Sequence, residues 1–370
     1  MDTGGRSGQL HYLCYDSAKF DAIREQGATA TFRGAIVISH GFTEFAEKYD
    51  ELVWYFLLAG YSVCVLEHRG HGKSARDVDN RCMVWIDDWQ RYVADLAGFA
   101  ETIGQQYAAG MPLNLFCHSM GGGIGAAVLE RYPTCSTKRC SSRRWIRPRH
   151  RHAAGRGPCA GRRAVRTRLR QEACVRAVGL HAGILDGRQR GASEARERWY
   201  FKLRCENSEY QTYCAAFEWV RQALKLNRAI LNPSACAEVE TPVLLFQSGR
   251  DIWVLNKPQN HFVQLVKDGG GEANIVRFPE SRHEIFSMPN STYKPYLEKI
   301  LGFYDDPMIA SAATDVALHP LFTVRSPCGP ARFRWRESHG IMGIMSSLRR
   351  RGCGRGMCRR ARVDRLHGVQ

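Results

Sequence analysis

One stretch constrains this chain more than any other: residues 113–131, LNLFCHSMGGGIGAAVLER. Leu113 to Cys117 is a short apolar run of the kind that forms a buried strand. The small residues from Gly121 to Ala127 predict a helix packed close to that strand. Ser119 sits at the junction, in the strand–turn–helix context of a nucleophile elbow. Such a turn forces the serine into a strained backbone conformation and lifts its Oγ above the sheet. Small neighbours are required because strand and helix pass close together. Gly121, Gly122 and Gly123 meet that need on one side. On the other side the G-x-S-x-G pattern has its first glycine, and Cys117 stands there instead. A serine in a Gly-rich turn by chance is the competing reading, and the strand before and helix after it argue against that.

The rest of the chain repeats this rhythm. AIVIS at 35–39 and YSVCVL at 61–66 are β-branched and apolar enough for buried strands. Between them, Leu52, Val53, Tyr55 and Phe56 have helical spacing, and Gly60 ends that helix. Residues 87–103 form an amphipathic pattern on Trp89, Tyr92, Val93, Leu96 and Phe99. Later, 242–247 and 274–278 predict two more strands, 260–266 a helix, and 293–304 a closing amphipathic helix. Strands alternating with helices through short loops predict an α/β fold with a mainly parallel sheet flanked by helices. Trp199, Tyr200, Phe201, Phe217 and Trp219 mark 199–235 as a helical lid over an apolar pocket.

Two further residues complete the chemistry expected at Ser119. Asp251 follows the strand at 242–247, and His283 follows the strand at 274–278. The chain order Ser, Asp, His is the order an elbow of this kind uses. His283 would take the Ser119 proton, and Asp251 would hold the imidazole in the right tautomer. Glu280 and Glu284, which flank His283, are the carboxylates to consider if Asp251 is not the partner. The HGF turn at 40–42 ends the first strong strand. Its Phe42 N–H and the Met120 N–H are the candidate oxyanion hole. Each of these positions alone has an ordinary structural reading; their joint placement after successive strands carries the assignment.

Two other motifs fail. Gly72-Lys73-Ser74 hints at a phosphate loop, but Glu67 stands where that pattern needs glycine. Gly121 to Ala126 fits G-x-G-x-x-A, yet no acid follows about 20 residues later to hold a ribose. The cysteines are scattered without a secreted disulfide framework. Cys353, Cys358 and His367 match no common zinc spacing. No metal or cofactor is expected.

The formal charge of +17 over 370 residues would suggest a nucleic-acid partner. Its distribution argues otherwise. Residues 138–170 hold 13 Lys and Arg and no acid, and residues 331–370 hold 11 Arg against two acids. The remainder is net negative. Neither basic stretch interleaves cations with aromatics inside a folded unit, so no specific nucleic-acid partner is expected. Residues 134–198 and 306–370 read either as a disordered basic insertion and tail or as translation in the wrong frame. Sense resumes abruptly at ERWYFKLRCENSEYQTY, which favours the frame reading for 134–196. The organisation expected is two halves of one core, 1–133 and 236–305, with the basic segment, the lid at 199–235 and the tail outside it. No signal peptide or membrane-spanning run is read, so a cytoplasmic protein with at most transient contact with a membrane surface is expected.

VISHGF, LEHRGHGKS, DDWQRYVADL, LFCHSMGG, FQSGRDIWV and FPESRHEIF together resemble the monoacylglycerol lipase and bacterial lysophospholipase branch of the α/β-hydrolases. The resemblance covers roughly residues 8–133 and 199–305. It implies hydrolysis of monoacylglycerols, lysophospholipids or similar carboxylic esters without a cofactor. It places the same roles on Ser119, Asp251, His283, Phe42 and Met120. Glu67 replaces the commoner Asp before the RGHG loop. After LERYP the family continues with another strand and the start of the lid. The basic segment stands there instead, so a core strand is expected to be missing. That leaves a chain damaged in 134–196, inactive or misfolded, as the alternative.

Overall fold

In the computed structural model, residues 8–21, 30–132, 137–144, 191–305, 323–326 and 329–332 are described. The first half runs β1 (Tyr12–Tyr15), α1 (Ser17–Asp21), β2 (Gly34–Ser39), α2 (Asp50–Leu58), β3 (Tyr61–Leu66), β4 (Met83–Val84), α3 (Gln90–Phe99), α4 (Gln105–Ala108), β5 (Leu113–Ser119) and α5 (Met120–Arg131). It continues with β6 (Thr137–Arg144), α6 (Glu194–Glu206), β7 (Cys214–Ala215), α7 (Phe217–Ala229) and α8 (Pro233–Ala237). The last core elements are β8 (Val243–Ser248), α9 (Asn256–Asp268), β9 (Ala273–Phe278) and α10 (Asn290–Asp305). A two-stranded hairpin, β10 (Thr323–Ser326) and β11 (Gly329–Arg332), follows.

Seven strands form one sheet in the order β1-β3-β2-β5-β6-β8-β9. All neighbours pair in parallel except β1, which runs antiparallel to β3 at the edge. Side chains alternate between the two faces with a period of two. Val37, Cys64, Leu66, Leu115 and Cys117 join one core with residues of α3, α5, α7 and α9. Ile36, Ile38, Val63, Val65, Phe116 and Phe246 join the other with α2 and α10. Burial on both faces explains why β2, β3, β5 and β8 read as continuous apolar runs rather than alternating ones.

The position after α5 differs from the expectation of a missing strand. Thr137–Arg144 lies between β5 and β8, pairing Cys117 with Ser142 on one side and Leu245 with Ser142 on the other. A β-ladder is made by main-chain N–H and C=O groups, which every residue but proline supplies in full. A stretch reading TKRCSSRR can therefore complete it without the apolar signature that announces its neighbours. The segment read as aberrant also ends in order: α6 begins at Glu194, and the buried Arg196 guanidinium donates to both oxygens of Glu51 at 2.6 and 2.7 Å. The rest of 134–190 and most of the tail, including Cys353, Cys358 and His367, lie outside the described residues.

Every candidate site residue follows the C-terminal end of a parallel strand: Phe42 after β2, Ser119 at the end of β5, Asp251 after β8 and His283 after β9. That edge is where open α/β sheets gather their functional loops.

Candidate active site

Ser119 is the last residue of β5 and caps α5 with φ +53° and ψ −118°. A non-glycine residue at positive φ is strained, and the surroundings must hold it there. The packing shows how. A Cβ on Gly121 would lie 2.2 Å from the Ser39 carbonyl oxygen, so only glycine lets the turn pass the end of β2. The departure at Cys117 is accommodated one helical turn further on. Its Sγ sits 2.4 Å from where a Cβ on Gly125 would be. The sulfur takes space that the helix leaves empty, so the elbow closes without a glycine at 117.

His283 bridges the two other residues. Its Nε2 is 2.9 Å from Ser119 Oγ, and its Nδ1 is 2.9 Å from Asp251 Oδ2. With the carboxylate accepting from Nδ1–H, Nε2 is left to accept from the serine hydroxyl. The other Asp251 oxygen accepts from the Trp253 and Val254 N–H groups at 2.8 and 3.0 Å. Those bonds fix the carboxylate in the turn after β8. Ser119 is 7% exposed, and the Asp251 and His283 side chains are 3% and 13% exposed. The electrostatics of the trio therefore act largely out of water.

Met120 is the first residue of α5, so its N–H has no acceptor within the helix. The turn at 40–43 faces it from β2. Its geometry is held by two buried groups. His40 donates Nδ1–H to the Gly41 carbonyl at 2.7 Å and accepts the His68 N–H at Nε2, 2.9 Å. Glu44 accepts the Gly41 N–H at 2.6 Å. The Phe42 ring packs on Trp219 of α7, centroids 4.2 Å apart, which brings α7 against this turn.

Glu44 leads to a network that sequence reading missed. Its carboxylate also accepts from Tyr49 Oη at 2.5 Å and from Lys48 Nζ at 2.8 Å, and lies 3.1 Å from His118 Nδ1. Lys48 donates in turn to Glu284 at 2.6 Å, and Glu284 accepts from Ser287 Oγ at 2.8 Å. One buried chain of charges therefore joins the turn bearing Phe42, the residue before Ser119 and the residue after His283. Burial pushes the Glu44 carboxyl up, but His118 and Lys48 overcome it and hold it well below the usual carboxylate range. Glu284 is likewise lowered, its burial outweighed by Lys48. Burial pulls the Lys48 ammonium down, and Glu284 and Glu44 more than reverse that. The only sequence signal was spacing: Glu44 and Lys48 lie four residues apart, just after the HGF turn. Of the two fallback acids, Glu284 serves Lys48 and the exposed Glu280 pairs with Arg250.

The loop at 68–74 has its own explanation. Glu67 accepts from the Lys73 N–H at 2.7 Å and the Ala46 N–H at 3.0 Å, and its carboxylate lies 2.8 Å from His11 Nδ1. A Cβ on Gly72 would meet that carboxylate at 2.2 Å. The main chain that resembled a phosphate loop is wrapped around a side-chain carboxylate instead. Among the described residues no group of three or more His, Cys, Asp or Glu could hold a metal ion.

Residues 30–290 match the family described as serine aminopeptidase, S33. The chain belongs to this α/β-hydrolase family. Over 101 residues it is 35% identical to the monoacylglycerol lipase of Mycolicibacterium smegmatis, a match spanning 27% of this chain and 34% of that protein. Over 298 residues it is 23% identical to lysophospholipase L2 of Escherichia coli, covering 73% of this chain and 80% of that protein. This hydrolase thus spans about a third of the first relative and most of the second. Its fold is shared with a soluble variant of monoglyceride lipase from Saccharomyces cerevisiae, solved with a substrate analogue. The TM-score is 0.59 at 18% identity, over 82% of this chain and 92% of that one.

Proposed function

We propose that this hydrolase cleaves carboxylic esters of lipids, monoacylglycerols or lysophospholipids, through an acyl-enzyme on Ser119. The observation that carries the reading is the continuous hydrogen-bonded relay from Ser119 Oγ through His283 to Asp251, both links 2.9 Å, behind a serine at positive φ. Ser119 Oγ attacks the ester carbonyl carbon as its proton passes to His283 Nε2. The Phe42 and Met120 N–H groups donate to the oxyanion that forms. Collapse expels the alcohol, which takes the proton back from His283. Water then attacks the acyl-enzyme, again giving a proton to His283, which returns it to Ser119 Oγ as the free acid leaves. Asp251 stabilises the imidazolium in both halves without taking the proton.

Two relatives named for lipid esters support this substrate class over a peptide. So does the aromatic cover: Trp219 on Phe42 makes the approach to the oxyanion turn apolar, and 199–235 acts as a lid. No helix among the described residues is long and apolar enough to cross a membrane. We place the encounter with substrate in the cytoplasm or at a membrane surface touched transiently. The charge run at 138–170 favours a second reading, an inactive chain damaged between residues 134 and 196. A fluorophosphonate probe separates the two. Labelling that Ser119→Ala abolishes supports the hydrolase. Labelling that survives Ser119→Ala sinks the assignment, and folded but unlabelled protein establishes the inactive reading.

A further inference from the structure

The antiparallel edge of the sheet sets two cysteines face to face. In the β1–β3 register Cys14 lies directly opposite Cys64. The pair type follows from the ladder. The Glu67 N–H donates to the His11 carbonyl at 3.0 Å, and these residues oppose each other one step beyond Tyr12 and Leu66. That makes His11 and Glu67 a hydrogen-bonded pair. Pair types alternate along an antiparallel ladder, so Cys14 and Cys64, three steps on, are a non-hydrogen-bonded pair. At such a site the Cα atoms stand about 4.5 Å apart and the side chains approach most closely. A disulfide spans Cα separations of about 4.4–6.8 Å.

The surroundings agree with the register. Both residues belong to the same apolar cluster, Cys64 fully buried and Cys14 half-buried at its margin. Both thiols are free. Burial raises the Cys64 thiol well above its ordinary value, and the neighbouring Cys14 thiol raises it further. Cys14 is the member solvent can reach.

We infer that Cys14 and Cys64 form a thiol–disulfide exchange site that accepts a small-molecule disulfide such as oxidised glutathione and closes to a cross-strand cystine. The Cys14 thiolate attacks one sulfur of the small disulfide, the S–S bond breaks, and one small thiol leaves. Cys64 then attacks Cys14 Sγ as its proton passes to the small thiolate that departs. The mixed disulfide breaks and the second small thiol leaves. Two protein thiols become one disulfide while the small disulfide is reduced to two thiols, so atoms and electrons balance. The crosslink staples edge strand β1 to β3 at the side of the sheet away from β8 and β9. It stiffens the edge without touching Ser119, Asp251 or His283.

The test treats the full chain with oxidised glutathione under native conditions and maps disulfides by non-reducing peptide mass spectrometry. Exposed Cys205 serves as the internal control for reagent access. The expected result is a Cys14–Cys64 linked peptide, reversed by dithiothreitol, with unchanged turnover and a higher thermal midpoint. Cys64→Ala should instead accumulate a stable glutathione adduct on Cys14, because the resolving thiol is gone. Stable glutathionylation of Cys14 in the unmutated chain overturns the proposal. So does modification of Cys205 while Cys14 and Cys64 both stay reduced.

Discussion

Replacing Lys48 by Met removes the ammonium that lies between two buried carboxylates and keeps most of the side-chain volume. Lys48, Glu44 and Glu284 are 3%, 4% and 12% exposed at their side chains. Breaking one buried pair costs about 3–5 kcal/mol, because the partner is left charged and unpaired. Lys48 serves two partners, so a loss near 5 kcal/mol is expected at pH 7. The pH dependence separates this from a packing defect. In the unmutated protein Glu44 is held well below its ordinary value of 4.5. Its stabilising contribution is therefore present above pH 4.5 and is lost as pH falls through the lowered folded value. In Lys48→Met the Glu284 carboxyl loses the cation that outweighs its burial and rises, so its penalty is full at neutral pH and shrinks as protonation neutralises it. The gap between the two proteins should be widest near pH 7 and narrow below pH 4.5. Urea denaturation followed by tryptophan fluorescence across this range measures it. Turnover should fall as well, towards the roughly 10²–10³ that an oxyanion-hole donor is worth, because Glu44 holds the turn bearing Phe42. A loss under 1 kcal/mol, or a gap that does not change with pH, would refute the charge argument.

Other expectations follow from the same geometry. Asp251→Asn should keep the fold and lower p-nitrophenyl ester turnover by about 10³–10⁴, because it favours the wrong imidazole tautomer; unchanged turnover would rule out Asp251. His283→Ala should leave Ser119 without a proton acceptor and cost several orders of magnitude in the same assay. Gly125→Ala should destabilise by about 1–3 kcal/mol through the Cys117 sulfur. In a Cys117→Gly background the same change should cost much less, and equal costs in thermal denaturation would dismiss the compensation. Deleting residues 307–370 should leave ester hydrolysis intact, since α10 already closes the core at Asp305.

What could be read in the sequence was what a strand or a turn imposes locally. β2, β3, β5 and β8 announced themselves because burial on both faces favours unbroken runs of mostly apolar residues. Ser119, Asp251 and His283 could be picked out because each ends or follows a strand of the sheet, and the structure brings them within hydrogen-bonding distance. The Glu44–Lys48–Glu284 network was not legible. Charged residues on a turn and a short helix normally mean a solvated face, and nothing local says that β5, β9 and α6 converge over them. The phosphate-loop resemblance failed for a related reason: the anion that the main chain faces is Glu67, contributed from the loop's own start.

The strand that sequence reading expected to be absent bears directly on the site. Ser119 ends β5, and the turn bearing Asp251 leaves β8; the two strands are not neighbours, because β6 separates them. Neighbouring strands lie about 4.7–4.9 Å apart, so an intervening strand sets β5 and β8 about 9–10 Å apart. That gap is about what His283 fills, reaching from Asp251 on one side to Ser119 on the other through two 2.9 Å bonds. With β5 and β8 paired directly, the same loops would be too close to admit an imidazole between them. The relay therefore requires a strand at this position but requires little of its side chains. Thr137–Arg144 meets the first requirement through its main-chain pairing with both neighbours. Breaking that pairing with a proline at Ser142, which opposes Cys117 and Leu245, should separate the two demands. If β6 sets the spacing, Ser142→Pro should lose fluorophosphonate labelling at Ser119, whereas Ser142→Lys, which keeps the main-chain donor, should retain it. Equal labelling of both variants would show that the spacing of β5 and β8 does not depend on this strand.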